Sequence, residues 1–444
     1  MKSAATKQKR YIRDTAQATK RPSGTVTATI SFVVLALAMG FVIGFAVFAI
    51  MNLSTFCTDL LWGKLGGVVG IPIFPLIVCT LGGAVIGLWT WWSNDRVKPL
   101  SAVMKEFKQT GSYKTNGAVK PVVTFLLPLV FGGSIGFEAG LTGLITAGCC
   151  WIRDMLKKAG LRFAAVADAT IAASFAAVFG TPLAGIVAGI ESSPNDGSSA
   201  LEEPGLGNYD MRRGAKVVLY TSAAFGAFGG IAAFSAIFGA SGGLPRFEPI
   251  GAVGAEHLWM LLCIVVAYAM TFLFHVSRTL FGRISKGMGE SAVSIVVKPI
   301  IAGVALGAIA CVLPFVLFPG EVQSEELMET WTTWTAVALV GTGVLKAVAT
   351  PMCIHMGWVG GDLFPSIFAG VSAGYGLAMI TGADPMLMVT VTTTAFLAGV
   401  LRKPLLALAI LLMCFPLNGL LWMGIAAVVG ASLPLPRVLL ADED

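Results

Sequence analysis

The sequence predicts an all-α polytopic membrane protein built from tilted, interrupted helices. Three observations predict it. First, the 444-residue chain is 56% apolar before its 53 glycines are counted, where soluble domains reach roughly 45–50% with glycine included. Its charged fraction is 12%, about half the usual ~25%, and its mean hydropathy is +0.82. So few charges cannot solvate a soluble enzyme, and this composition also excludes a disordered or collagen-like chain. Second, apolar runs recur along the whole chain, many of them longer than the ~20 residues that one crossing needs. Third, the 53 glycines and 21 prolines exceed what an up-and-down bundle requires. Glycine lets membrane helices approach closely, and both residues mark helices that break.

The elements follow in order. Residues 1–24 form a basic tail, with Lys2, Lys7, Lys9, Arg10, Arg13, Lys20 and Arg21 against Asp14. It lacks the short apolar core and small-residue cleavage site of a secretory signal. It reads as a retained cytoplasmic tail obeying the positive-inside rule; a nucleic-acid-binding tail and a mitochondrial transit peptide are the competing readings. Apolar segments fall at 27–53, 67–92, 117–150, 162–191, 214–240, 256–281, 291–319, 331–350, 364–381 and 386–434. The segment 117–150 is interrupted by Gly132, Gly133, Gly136, Gly140 and Gly143, and 386–434 by Pro404, Pro416 and Pro434. Such runs predict short helices joined inside the membrane, where non-helical backbone survives only if protein buries it or it lines a wet cavity. The basic clusters Arg153/Lys157/Lys158/Arg162, Arg212/Arg213/Lys216 and Arg278/Arg283/Lys286 predict cytoplasmic loops. The acidic stretch 320–330 predicts an external loop.

Two halves are expected: 25–192 and 213–435, joined by the polar loop 193–212 and followed by a short tail, 436–444. A weak internal repeat supports them. Ser174–Ile186 aligns with Phe396–Leu408, placing Pro182 on Pro404, and Gly136–Gly140 aligns with Gly361–Pro365 at nearly the same offset. Resemblance by small-apolar composition alone is the competing explanation.

The chemistry-bearing residues are few. The cysteines sit in apolar runs without metal-ligand spacing, and His257, His275 and His355 are scattered, so no metal site is expected. Glu138 lies inside an apolar segment between Gly136 and Gly140, where bare backbone can approach an ion. An intramembrane carboxylate is a functional candidate because burying its charge is costly. A helix starting there would offer free N–H groups and a positive dipole end to an anion or to Glu138 itself. A gate that yields to an anion and a carboxylate satisfying its own helix terminus are both open. The second break, Gly357–Pro365, also precedes an apolar helix, with Pro365 in its first turn. There the amides of Leu363 and Phe364 are placed to face an anion, and Asp362 is either an N-cap or a functional group.

These segments resemble the CLC family of chloride channels and proton-coupled chloride transporters. "GSIGFEAG" resembles that family's G-[RK]-E-G-P segment, with Glu138 on the gating glutamate; "GGDLFPSIFAG" resembles its G-x-F-x-P segment. "FGTPLAGIVAGIE" (Phe179–Glu191) is similar to N-A-P-L-A-G-I-x-F-x-x-E, and "AFLAGVLRKPLLALAILL" to the late A-x-x-R-x-P-L helix. Lys346 resembles a basic residue just upstream of the second anion loop. The matches run in order over about 76–433. The resemblance implies an inverted repeat of tilted, broken helices and a homodimer with one anion pathway per subunit. The anion site would draw on Gly136, Phe137, Glu138, Asp362, Leu363 and Phe364, with Asn418 or Leu417 nearest to the family's late tyrosine, which has no clear match. The implied ligand is chloride or another halide, with no cofactor and no nucleic-acid partner.

Departures accompany the resemblance. Asp95–Pro99 carries no serine where the family has G-S-G-I-P. Gly140 replaces a proline, and Leu363 occupies the phenylalanine position, with Phe364 one later. Glu191 matches a helix-end glutamate, while Ser192 stands where proton-coupled members place an inner relay glutamate. The expected function is therefore transport of chloride or a similar small anion through a glutamate-gated pathway in the cell membrane, with a cytoplasmic N-terminus. The alternative is proton-coupled exchange of chloride or fluoride; a cation-coupled small-solute transporter ranks below it. An intramembrane protease using Asp168 and Asp362 lacks the required motif, and no enzyme is expected.

Overall fold

A computed structural model describes residues 26–66, 71–93, 119–137, 166–191, 213–239, 245–251 and 258–440. Glu138, Gly140, Ser192, the stretch 95–99, the basic tail and the connecting loop 193–212 lie outside the described residues.

The first part of the chain forms α1 (Val26–Thr58), α2 (Phe74–Ser93), α3 (Val119–Val130), α4 (Val166–Phe179), α5 (Pro182–Glu191) and α6 (Arg213–Phe238). The second forms α7 (Met260–Gly287), α8 (Ala292–Ala310), α9 (Glu321–Thr330), α10 (Ala336–His355) and α11 (Leu363–Thr381). It continues with α12 (Pro385–Leu401), α13 (Pro404–Leu411), α14 (Leu420–Ser432) and the single turn α15 (Arg437–Leu440). Among the described residues, seven helices are long and apolar enough to cross a bilayer. Their outward faces carry bare apolar side chains, such as Phe41 and Phe56 on α1 and Leu261 and Val265 on α7. Facing lipid, these cost nothing; facing water, they would. The chain is a multi-pass membrane protein.

Packing in the two parts follows one scheme. In the first, α1, α4 and α6 pack together; in the second, α7, α12 and α14 do. The parts meet where α2 runs along α8 and where α5 touches α13. Glycine makes two of these seams. A Cβ on Gly40 or Gly44 of α1 would strike the carbonyls of Ala223 and Ala227 on α6, and one on Gly83 of α2 would strike that of Pro299 on α8. Backbones this close gain dispersion contacts that lipid-facing pairs lack.

The break expected at Pro404 forms, and its aligned partner Pro182 marks another. α4 ends before Gly180, in the left-handed region at φ +62°, and α5 starts at Pro182; α12 ends before Arg402, φ +56°, and α13 starts at Pro404. The aligned segments thus share one junction: a left-handed stop, one intervening residue and a proline at the next first turn. Arg402 adopts without glycine's freedom a conformation costing about 1–2 kcal/mol. Its guanidinium donates to the carbonyl of Leu433 at 2.7 Å, which ties the junction to the end of α14.

One expectation is corrected. The acidic stretch 320–330 is not a loop but helix α9. Gly320, at φ +111°, turns the chain, Ser324 bonds back to its carbonyl, and Leu327 is buried against the bundle. One apolar anchor at the right spacing suffices to dock a polar helix.

The centre belongs to α11 and α12. Leu363–Ala378 is buried without interruption, as is Leu387–Val400. Helices buried on every side in a membrane protein are screened from lipid by their neighbours, so the start of α11 opens into protein.

Candidate functional site

The two glycine breaks meet. α3 ends as Gly132 turns left-handed at φ +86°, and the chain runs extended through Ile135. Gly136 then pairs with Gly361 through two backbone bonds: Gly136 N–H to Gly361 O at 2.7 Å and Gly361 N–H to Gly136 O at 2.9 Å. This antiparallel bridge, between residues far apart in sequence, holds the start of α11 against the end of the first break. Neighbouring Gly360 leaves no room for a side chain, because a Cβ there would collide with Ile135.

The carbonyls that α3 leaves behind are satisfied from a distance. Trp62 Nε1 donates to Val130 O at 2.9 Å, Cys79 Sγ to Phe131 O at 3.6 Å, and Phe318 N–H to Gly132 O at 3.2 Å. The Ser134 hydroxyl pairs with that of Thr350 on α10 at 3.2 Å. Backbone polar groups at this depth have no water to turn to, so each partner is structural. The N–H groups of the first break bond back to α3, Phe131 to Leu127 O, Gly132 to Leu129 O and Gly133 to Pro128 O, and the second break repeats this turn on α10. Met356 N–H donates to Met352 O, Trp358 N–H to Cys353 O and Gly357 N–H to Ile354 O, while Trp358 Nε1 reaches Pro299 O at 2.9 Å.

α11 then begins. Asp362 occupies its N-cap position, but the carboxylate makes no capping bond to the helix. Asp384 at the N-cap of α12 does, accepting from Leu387 N–H at 2.8 Å. Within α11 the first-turn amides are those of Leu363 and Phe364, since Pro365 has no N–H. They carry the positive end of the helix dipole into the protein interior.

Aromatic rings close the space around this start. Phe364 stacks on Phe179 (centroids 5.3 Å, planes 7° apart) and meets Phe137 edge-on at 5.5 Å; Phe137 meets Phe125 at 6.2 Å. All four rings are buried. α3, the first break, α4 and α11 thus converge on one apolar cluster beside the Gly136–Gly361 bridge.

Lys346 supports the arrangement from behind. It is wholly buried in α10, and its Nζ, with three N–H groups at most, shares them among four consecutive carbonyls: Phe315 at 3.2 Å, Val316 at 3.1 Å, Leu317 at 2.9 Å and Phe318 at 2.8 Å. It also lies 4.9 Å from the ring centroid of Phe368 on α11. The turn it gathers holds Phe318 at φ +64°, a conformation rare for an aromatic residue. That same Phe318 supplies the N–H for Gly132. Lys346 thereby fixes the turn that fixes the first break.

Of the sequence-predicted site residues, Gly136, Phe137, Asp362, Leu363 and Phe364 come together. Glu138 follows Phe137 directly but lies outside the described residues, as does Ser192; Glu191 ends α5. Asn418 bonds elsewhere. It is exposed, and its amide pairs with Ile250 in both directions, Nδ2 donating to Ile250 O at 2.8 Å and Oδ1 accepting from Ile250 N–H at 3.4 Å. Among the described residues no hydrogen bond or ring contact joins it to the bridge. Sequence reasoning missed Trp62, Phe125, Phe318 and Thr350. Lys346 entered only by resemblance, although a lone cation in an apolar run is a signal in its own right.

Known proteins agree with this geometry. A solved CLC-type fluoride/proton antiporter superposes with a TM-score of 0.69 at 17% identity, covering 92% of this chain and 96% of that one. A slow cyanobacterial Cl−/H+ antiporter gives 0.69 at 16%, with the same coverage. A eukaryotic CLC transporter gives 0.63 at 15%, covering 92% of this chain and 72% of that one. At such identities the likeness shows the fold. No curated relative matches in sequence. The family model described as voltage gated chloride channel matches residues 82–434, a span that takes in both glycine breaks and both left-handed-stop and proline junctions, and the chain belongs to that family.

Proposed function

We propose that this protein carries chloride or a similarly small anion across the cell membrane, along a path that passes the Gly136–Gly361 bridge and is gated by Glu138. One observation carries the reading: two interrupted helices, held together by that bridge, bring the start of α11 into the buried interior. A dehydrated anion met there by amides and ring edges, without a full counter-charge, binds yet leaves. The carboxylate of Glu138 competes for the same amides. Deprotonated, it occupies them; protonated, it yields.

Proton-coupled exchange is the second reading. The structures sharing the fold include a fluoride/proton and a Cl−/H+ antiporter, and no glutamate follows Glu191 to serve as the family's inner relay. We further propose a homodimer with one path per subunit and a cytoplasmic N-terminus.

The test is halide efflux from liposomes at two external pH values. Glu138→Ala is expected to keep anion flux and lose its dependence on external pH. A variant indistinguishable from wild type at both values overturns the gating role. Reversal potentials under a chloride gradient, with and without a proton gradient, separate channel from exchanger.

A further inference from the structure

We propose that the seam between α7 and α12 carries protons, with His275 as its titratable station, linking the basic end of α7 to the Asp362 turn that starts α11. The inference rests on the transport reading above and adds a route to it.

His275 is completely buried in the middle of a long helix, and neither ring nitrogen has a hydrogen-bond partner among the described residues. The same holds for the buried hydroxyls of Thr279, one turn along α7, and Thr392 on α12. Leaving one such group unbonded in an apolar interior costs about 1–3 kcal/mol. Several along one seam mark a place where water completes the bonds.

The residues form a line. Near its start Cys263 of α7 lies beside Met388 and Thr392 of α12. Two turns on, Thr271 presses against Gly399, where no side chain fits. His275 follows, level with the backbone of Gly399 and near Arg402. Thr279 continues toward the end bearing Arg283 and Lys286.

Charges of both signs act on the imidazole. Arg278 belongs to its own helix, Arg402 ends α12, and Asp362 precedes α11. From α10, His355 lies against Gly282 one turn beyond Thr279, while Lys346 is turned into the Phe315–Phe318 carbonyls. Helix α14 has no ionisable residue, and α15 begins with Arg437. An imidazole suits such a place because it has two nitrogens. It takes a proton from water on one side and releases the proton of the other nitrogen to the far side, ending neutral. Asp362 adjoins Leu363 and Phe364, so a proton arriving there meets the anion path.

The test uses purified protein in liposomes, recording chloride and fluoride efflux with an anion electrode and proton uptake with a pH electrode. Wild type is expected to move protons against the anion. His275→Gln is expected to retain anion efflux and to lower the proton-to-anion ratio by about tenfold or more, the scale set by loss of a positioned acid–base group. An unchanged ratio overturns the proposal, as does a wild type that moves anion without protons. If wild type moves neither halide, the transport reading itself falls, and this inference with it. Should His275→Gln fail to assemble, Thr279→Val keeps the volume and removes the hydroxyl between His275 and the basic end of α7. A lowered ratio supports the seam, and an unchanged ratio overturns it.

Discussion

The two glycine breaks face each other across one backbone bridge and share one local turn, yet only the first is also held from afar. In both, the N–H groups bond back to the helix just ended: those of 131–133 to residues 127–129, those of 356–358 to residues 352–354. The carbonyls of Val130, Phe131 and Gly132 then take donors from Trp62, Cys79 and Phe318, and Ser134 pairs with Thr350, four separate parts of the chain. The shared turn is placed by local sequence. The distant partners are met only once the rest of the molecule has assembled. The first break should therefore be the more sensitive to substitutions far from it.

The largest effect is expected at Lys346. Lys346→Met leaves the four carbonyls of Phe315–Phe318 without their donor. Leaving a buried acceptor without its donor costs about 1–3 kcal/mol each, so the four together give the largest loss, and thermal unfolding in detergent should show it; a melting temperature near wild type would remove Lys346 from its supporting role. Gly360→Ala comes next. Its methyl meets Ile135 with nowhere to go, and overpacking of this kind costs about 1–3 kcal/mol. Because it also forces the bridge apart, anion flux should fall more than stability does. Trp62→Phe keeps the ring but strips Val130 of its donor, for about 1–3 kcal/mol. Its partner test is Trp358→Phe, which frees Pro299 O instead. If the comparison is right, the Trp62 change alters anion flux and the Trp358 change alters mainly stability. The smallest effect belongs to Thr350→Val, which removes one interhelical hydroxyl pair worth about 0.6 kcal/mol in a membrane.

Much of this arrangement was legible in the residues. Apolar length gave the crossing helices, and the aligned Pro182 and Pro404 anticipated two junctions of the same form. Gly136 and Gly361 were matched as repeat landmarks; the structure adds that they touch. The acidic stretch 320–330 was misread because composition weighs charge and misses a single anchoring leucine. The exchange between the Asn418 amide and the backbone of Ile250 joins residues 168 apart, which no local motif shows. Arg402 entered only as part of the segment similar to A-x-x-R-x-P-L, and its left-handed φ and its bond to Leu433 appear only in the structure.

By itself the sequence determined what depends on neighbours along the chain: which stretches are apolar enough to cross lipid, where glycine and proline stop a helix, and where a helix can begin. These are set within a few residues, because helical hydrogen bonds span only four. Tertiary structure alone decided who satisfies the groups that local structure leaves over. Lys346 reaches carbonyls 28 to 31 residues away, and Trp62 reaches one 68 residues away. In a medium without water every such group must find a partner within the protein, and which partner that is depends on how the helices pack.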